Sequence, residues 1–314
     1  MKTAAKTMNN IESTSYRNAT LAERARLLAD ERNQETAIFF GNGSTLSFAD
    51  AYREGRTLAA ALQNMGLAAG DTLSFQLPNT RESVIVAIAA SLAGLIINPI
   101  VPIYRGKELG FILKDAQTRV LFIPATLRNF NYVEMTTTLR SQLPDLSTVV
   151  VVGASGALPE GFVDFDSAMT SANADQLSDV AVDPDDEKIK LYTSGTTGNP
   201  KAVRHSHNTL EKALMNGVSG WSMDSNDLML MPSPVTHITG YANGIELPFF
   251  SDSKSLLMEA WVVTEAVELI EKYGATLCVS ATPFLRELVD TVKRRQTLPG
   301  FWYLRAAAPQ YPPS

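Results

Sequence analysis

Hydrophobic positions along this chain fall into short continuous runs, separated by stretches with helical spacing. Thr72-Leu-Ser-Phe-Gln-Leu77 reads as a strand closed by Pro78-Asn79. Glu82 to Ala93 is apolar on nearly every side, which predicts a largely buried helix, and Gly94 is placed to cap it. Leu95-Ile-Ile97 is a short apolar strand. Leu109, Ile112, Leu113 and Ala116 recur at the spacing of one helix face. Val120-Leu-Phe-Ile123 and Thr148-Val-Val-Val-Val152 are further strands. A looser region, Gly153 to Asp186, ends in the acidic surface connection Asp183-Pro-Asp-Asp-Glu187. The alternation then resumes with strand Ile189 to Tyr192, helix Asn208 to Asn216 and strand Leu228 to Met231. Helix Val263 to Tyr273 is stopped by Gly274, strand Leu277 to Ser280 follows, and Pro283 opens a helix running to Arg294. Short apolar strands alternating with helices predict an α/β fold of parallel-sheet lobes flanked by helices. There is no internal repeat and no low-complexity tract.

Composition narrows the class. The chain has 314 residues, 45% hydrophobic and 19% charged, enough for a large core or two lobes. Its formal net charge is −6, with Lys and Arg mixed among Asp and Glu, so no basic face points to a nucleic-acid partner. An anionic substrate must be held by local features. The single cysteine, Cys278, can form no internal disulfide, which fits a reducing compartment. It lies in the apolar run Ala275 to Val279 and reads as a small buried hydrophobe rather than a nucleophile. Met1 to Asn10 lacks the apolar core of a secretory signal. The most apolar stretch, Val84 to Ile97, falls short of the roughly 20 residues a membrane span needs. A soluble, cytoplasmic protein without a transmembrane segment is expected.

The chemistry is concentrated in Leu191-Tyr-Thr-Ser-Gly-Thr-Thr-Gly-Asn-Pro-Lys-Ala-Val-Arg-His205. A strand runs into a loop of hydroxyls and glycines, then a lysine. Glycines let backbone amides approach an anion closely, and consecutive amides in such a turn make a concave anion site. Thr193, Ser194, Thr196 and Thr197 add hydroxyls, Gly195 and Gly198 add freedom, and Lys201 adds positive charge. Together they suit a polyphosphate. The Walker A loop is excluded on spacing, because Asn199 and Pro200 separate Gly198 from Lys201, and Ala202 follows the lysine. His205 and His207 form a His-x-His pair that would share one side of a strand; with no third ligand evident, a structural role is the ordinary reading. His237, a lone histidine in the Pro-rich turn Met231 to Gly240, taken by itself reads as structural.

Tyr192 to Lys201 resembles the signature phosphate loop of the adenylate-forming (AMP-binding) superfamily. That superfamily includes acyl-CoA synthetases, aryl-CoA ligases, luciferases and peptide-synthetase adenylation domains. Ala202 departs from it, standing where the family usually has glycine; a methyl there matters only if the residue needs positive φ. Gln76 to Asn79 and Asn98-Pro-Ile-Val-Pro-Ile-Tyr-Arg105 are similar to early segments of short- and medium-chain acyl-CoA ligases, and of ligases for cyclohexanecarboxylate-type acids. Met231-Pro-Ser-Pro-Val-Thr-His-Ile-Thr-Gly240 resembles the family's next motif.

The resemblance implies an ATP-dependent acid–CoA ligase. A carboxylate attacks the α-phosphorus of ATP, and the thiol of coenzyme A then displaces AMP. The implied partners are a small-molecule carboxylic acid, ATP, coenzyme A and Mg2+. The implied roles give Thr193 to Gly198 to the phosphates, Thr196 to Mg2+, Lys201 to phosphate charge as a catalytic group, and His237 to the acyl carbonyl. His237, Thr239 and Gly240 would line the acid's pocket.

Measured against the family, residues 1–19 read as an extension and 20–314 as a truncated large N-terminal domain. The small C-terminal domain with its adenylation lysine is expected to be absent. The family's adenine segment, Cys-Gly-Gly-Ala-Pro-Ile-Pro-Pro, is replaced after Leu304-Arg305 by Ala-Ala-Ala-Pro-Gln-Tyr-Pro-Pro. A one-base frameshift before Ala306 accounts for that change, with deliberate truncation as the alternative. Two readings therefore stay open for this chain, an impaired ligase and a non-catalytic nucleotide-binding remnant. A third, an aryl-CoA ligase, is opposed mildly by Asn98 to Arg105.

Overall fold

The computed structural model describes residues 17–193, 200–295 and 303–306. The chain divides into two compact units. One comprises Asn18–Gln34 and Phe48–Leu210; the other holds Arg17, Glu35–Ser47 and the chain from Glu211 onward.

The first unit is built on a seven-stranded sheet. Its strands lie in the order Lys201–Ser206, Glu187–Thr193, Ile96–Pro99, Thr72–Phe75, Thr118–Pro124, Thr148–Val152 and Phe162–Asp164. All neighbours are parallel except Glu187–Thr193 with Lys201–Ser206. Parallel strands are covered on both faces, which is why Thr72–Phe75 is buried throughout. Helix Arg81–Leu92 buries Val84 to Ala90 without interruption, as a helix apolar on all sides must. Each Val or Ile side chain so placed contributes about 1.5–3 kcal/mol. Gly94 ends this turn at φ +66°, and Leu95 N–H reaches back to Ala90 O at 2.8 Å. Helix Gly106–Asp115 lays Leu109, Ile112 and Leu113 against Ile123, Tyr132, Val149 and Val151.

Two regions depart from the sequence reading. Gly153 to Asp186 is not simply loose, for it contains the edge strand Phe162–Asp164 and helix Phe165–Ser171. The carboxylate of Asp164 caps that helix, accepting from Ser167 N–H at 2.9 Å. Neither element is long enough to show a period. Ahead of the first predicted strand, helices Leu21–Glu31 and Phe48–Asn64 are additional. The first carries a reciprocal cap that the spacing Thr20-x-x-Glu23 announces: Glu23 N–H donates to Thr20 Oγ1 at 3.2 Å and Thr20 N–H to Glu23 Oε2 at 2.7 Å.

The second unit has a six-stranded sheet in the order Tyr303–Ala306, Leu277–Ser280, Leu228–Met231, Lys254–Leu257, Thr36–Phe40 and Thr45–Ser47. Only the last two strands pair antiparallel, as a hairpin. Helix Val263–Tyr273 packs Ala266, Val267 and Ile270 against Leu228, Leu230 and Cys278, and Gly274 caps it at φ +70°. Burial pushes the Cys278 thiol up to about 12, in keeping with a small hydrophobe. Among the described residues, no helix is long and apolar enough to cross a membrane.

The two capping glycines give a graded test. A Cβ at Gly274 meets nothing within 4 Å, whereas one at Gly94 comes within 2.8 Å of Val180 Cγ1. Gly274→Ala is expected to cost about 1 kcal/mol, from the left-handed backbone alone. Gly94→Ala should cost roughly 1–3 kcal/mol more, through overpacking. Urea denaturation of both variants measures the difference, and equal losses would remove the steric part of the account.

Candidate functional site

Strand Glu187–Thr193 runs parallel to Ile96–Pro99, with Ile189 beside Ile97. Thr193 therefore leaves the sheet at its carboxyl edge, where α/β sheets bind ligands. The chain returns as Lys201–Ser206, antiparallel, with Thr193 opposite Lys201 and Tyr192 opposite Ala202. Thr193 and Lys201 thus face each other across the base of the loop. Ser194, Gly195, Thr196, Thr197 and Gly198 lie outside the described residues. Directly paired strand residues share a face, so Thr193 and Lys201 occupy one face of the hairpin and Tyr192 and Ala202 the other. Lys201 is exposed. Ala202 is a strand residue outside the positive-φ set, so its methyl causes no backbone strain.

Tyr192 carries a feature that the motif does not announce. Its phenol donates to Asp115 Oδ2 at 2.6 Å, and burial, followed by that bond, raises its pKa above the ordinary tyrosine value. Asp115 lies 77 positions away in sequence, so no local pattern could have paired them.

The His-x-His pair does not share a strand face. The strand ends at Ser206, and His207 opens helix His207–Trp221. His207 is buried, and desolvation, followed by the charge of Lys188, lowers its pKa to about 2. The acidic run upstream forms a turn, with Asp183 N–H donating to Asp186 Oδ2 at 3.0 Å and Asn208 Nδ2 to Asp185 Oδ1 at 2.7 Å. Among the described residues, no group of three or more His, Cys, Asp or Glu side chains could hold a metal.

His237, Thr239 and Gly240 come together in the other unit. Strand Leu228–Met231 runs into Pro232-Ser-Pro234, and His237 N–H donates to Pro234 O at 2.9 Å. His237 caps the short helix Ile238–Gly240, its Nδ1 accepting from Thr239 N–H at 3.3 Å. An Nδ1 that accepts leaves the proton of a neutral ring on Nε2. The ring keeps exposed surface, yet desolvation by the protein around it lowers its pKa below 6.5. A neutral imidazole with an Nε2–H donor is suited to a carbonyl or carboxylate oxygen. Thr239 O accepts from Asn243 Nδ2 at 2.9 Å. Gly240 has a steric reason of its own, since any Cβ would fall inside the Pro234 carbonyl.

The π-helix Tyr241–Glu246 that follows was not legible in the sequence. It buries both Tyr241 and Glu246, and burial, then the Glu246 carboxylate, raises the pKa of the Tyr241 phenol. These residues are five positions apart, the π-helical repeat, so a search at 3.6-residue spacing passes over them.

Comparison with known proteins places the chain in a family. The AMP-binding enzyme family matches residues 26–309. The medium-chain fatty-acid–CoA ligase of Escherichia coli is 25% identical over 277 residues, covering 88% of this chain and 49% of that protein. A 4-coumarate–CoA ligase of Pinus taeda is 29% identical over 251 residues, covering 79% of this chain and 45% of that one. The chain thus spans about half the length of these relatives. A long-chain-fatty-acid–CoA ligase structure from Archaeoglobus fulgidus superposes with a TM-score of 0.78 at 23% identity, covering 89% of this chain and 55% of that one.

Two outcomes are expected. Gly240→Ala should displace the Pro234 turn and destabilise the chain by about 1–3 kcal/mol, which chemical denaturation reads out. The depressed pKa of His207 means that the unfolded chain binds a proton the folded chain refuses. Its contribution is complete above the unfolded value of 6.5 and is lost as pH falls from there toward about 2. Urea midpoints across this range should therefore show stability falling by about 1.4 kcal/mol per pH unit more in the wild type than in His207→Gln.

Proposed function

We propose, from the premise that this chain belongs to the AMP-binding enzyme family, that it is the phosphate- and acyl-binding portion of an ATP-dependent acid–CoA ligase. The observation that carries the reading is the hairpin whose paired ends, Thr193 and Lys201, stand at the carboxyl edge of a parallel sheet. A carboxylate is a poor electrophile. One of its oxygens attacks the α-phosphorus of ATP, the bond to pyrophosphate breaks, and an acyl-adenylate forms. The thiol of coenzyme A then attacks the acyl carbonyl, loses its proton, and AMP leaves.

The first step asks the protein for positioning and charge neutralisation rather than covalent help. In this reading, Thr193, Ser194, Gly195, Thr196, Thr197 and Gly198 cradle the phosphates, and Lys201 offsets their charge. The Thr196 hydroxyl would help to hold Mg2+, which would supply charge neutralisation at the phosphates. The loop's hydroxyl oxygens are the kind of ligand that Mg2+ takes, while its amide N–H groups suit the phosphates. His237, held neutral with Nε2–H outward, donates to the acid's oxygen, and Thr239 and Gly240 shape the turn beside it. Asn98 to Arg105 and the fatty-acid–CoA ligase relative favour a medium-chain aliphatic or alicyclic acid. The 4-coumarate–CoA ligase likeness supports an aromatic acid as the second reading. Cytoplasmic ATP and coenzyme A would supply the reaction.

Carboxylate-dependent exchange of pyrophosphate into ATP tests this directly, with a panel of medium-chain, alicyclic and cinnamic-type acids. Exchange should rise with one acid class and fall by about 10²–10³ in Lys201→Ala, the scale of removing one charge-stabilising donor. A folded sample that neither exchanges nor binds ATP would sink the reading for this chain and favour a remnant without catalysis.

A further inference from the structure

Tyr192 stands one residue before Thr193, and its ring packs on the core formed by helix Gly106–Asp115 and its neighbours. Its hydroxyl donates to Asp115 at 2.6 Å, the length of a charge-assisted bond. Asp115 is the last residue of that helix, at the negative end of the dipole, where a carboxylate gains nothing from the helix itself. The phenolic donor offsets that cost. Directly across the hairpin lies Ala202, on the same face as the Tyr192 ring. Arg204 and Glu187 also act on the phenol by charge, in opposite senses.

Among the described residues, the return strand Lys201–Ser206 is the outermost of the sheet, with Glu187–Thr193 as its single neighbour. Wherever Glu187–Thr193 sits, Lys201 follows. We propose that Tyr192 is a positioning residue: its phenol, bonded to Asp115 and flanked by Ala202, latches the leading strand of the loop hairpin to helix Gly106–Asp115 and so sets where Lys201 presents its ammonium. This rests on the phosphate-loop reading above. Tyr192 and Lys201 occupy opposite faces, so the coupling passes through the backbone pairing of Thr193 with Lys201 rather than through side-chain contact.

The test compares wild type, Tyr192→Phe, Asp115→Ala and the double variant, all in the full chain. Tyr192→Phe keeps the ring and removes only the bond. Amide hydrogen exchange over Glu187 to Ser206 is measured first, because it needs no catalysis. Each single variant should speed that exchange about five- to tenfold, the scale of one lost hydrogen bond, and the double variant no more than either. In pyrophosphate exchange, KM for ATP should rise by a similar factor of about five to ten while kcat stays within about twofold. Unchanged amide exchange in either single variant, or effects that add in the double, overturns the latch. Faster amide exchange with an unaltered KM in an active wild type overturns the positioning role and leaves a merely structural bond. If the wild type neither exchanges pyrophosphate nor binds ATP, the ligase reading fails, and amide exchange alone decides the latch.

Discussion

Parallel pairing is the constraint on which the rest of this protein depends. Two parallel neighbours start at the same edge of a sheet, so the chain must cross back between them, and helices make that crossing. Both faces are then covered, the strands become apolar throughout, and ligand-binding loops gather at the carboxyl edge. Among the described strands of the seven-stranded sheet, the pairing rule is broken only between Glu187–Thr193 and Lys201–Ser206. A crossover there would carry the chain to the far edge. The antiparallel return keeps it at the carboxyl edge and brings Lys201 back beside Thr193. Fixing both ends of a connection in this way lowers the ordering entropy that any ligand bound there would have to offset.

Polar groups buried beneath that edge serve the same end. Ser74 and Thr118 share a hydrogen bond of 2.6 Å, and Asn98 Nδ2 donates to Ser74 Oγ at 2.8 Å. Gln76 Nε2 donates to the carbonyls of Val101 and Tyr104, and Tyr132 Oη to that of Pro102 at 2.7 Å. Arg105 lies 3.9 Å over the Phe130 ring. The segment after strand Ile96–Pro99, next to the loop-bearing strand, is thereby held by three side chains distant in sequence, Gln76, Phe130 and Tyr132. In the second unit, rigidity comes instead from close approach. Gly240 admits no side chain against Pro234, and a Cβ at Gly244 would come within 2.8 Å of Leu257. Hydrogen bonds brace one candidate region and packing braces the other.

The sequence by itself determined the α/β class, the strands Thr148–Val152, Leu228–Met231 and Leu277–Ser280, the helix Val263–Tyr273, and the glycine caps at Gly94 and Gly274. Those features arise from apolar runs, helical spacing and backbone conformation, all encoded within a few residues. The grouping of His237 with Gly240 was legible as well, because that motif is contiguous. The short elements between Gly153 and Asp186 stayed hidden, because a three-residue strand and a seven-residue helix are too brief to display a period. Only the tertiary structure decided that His205 and His207 part company at the end of a strand, that Tyr241 and Glu246 align on a π-helix, and that Tyr192 finds Asp115. Each of these depends on which backbone segment lies opposite another. That is set by sheet order and by the packing of helices on it, and one stretch of chain carries no record of either.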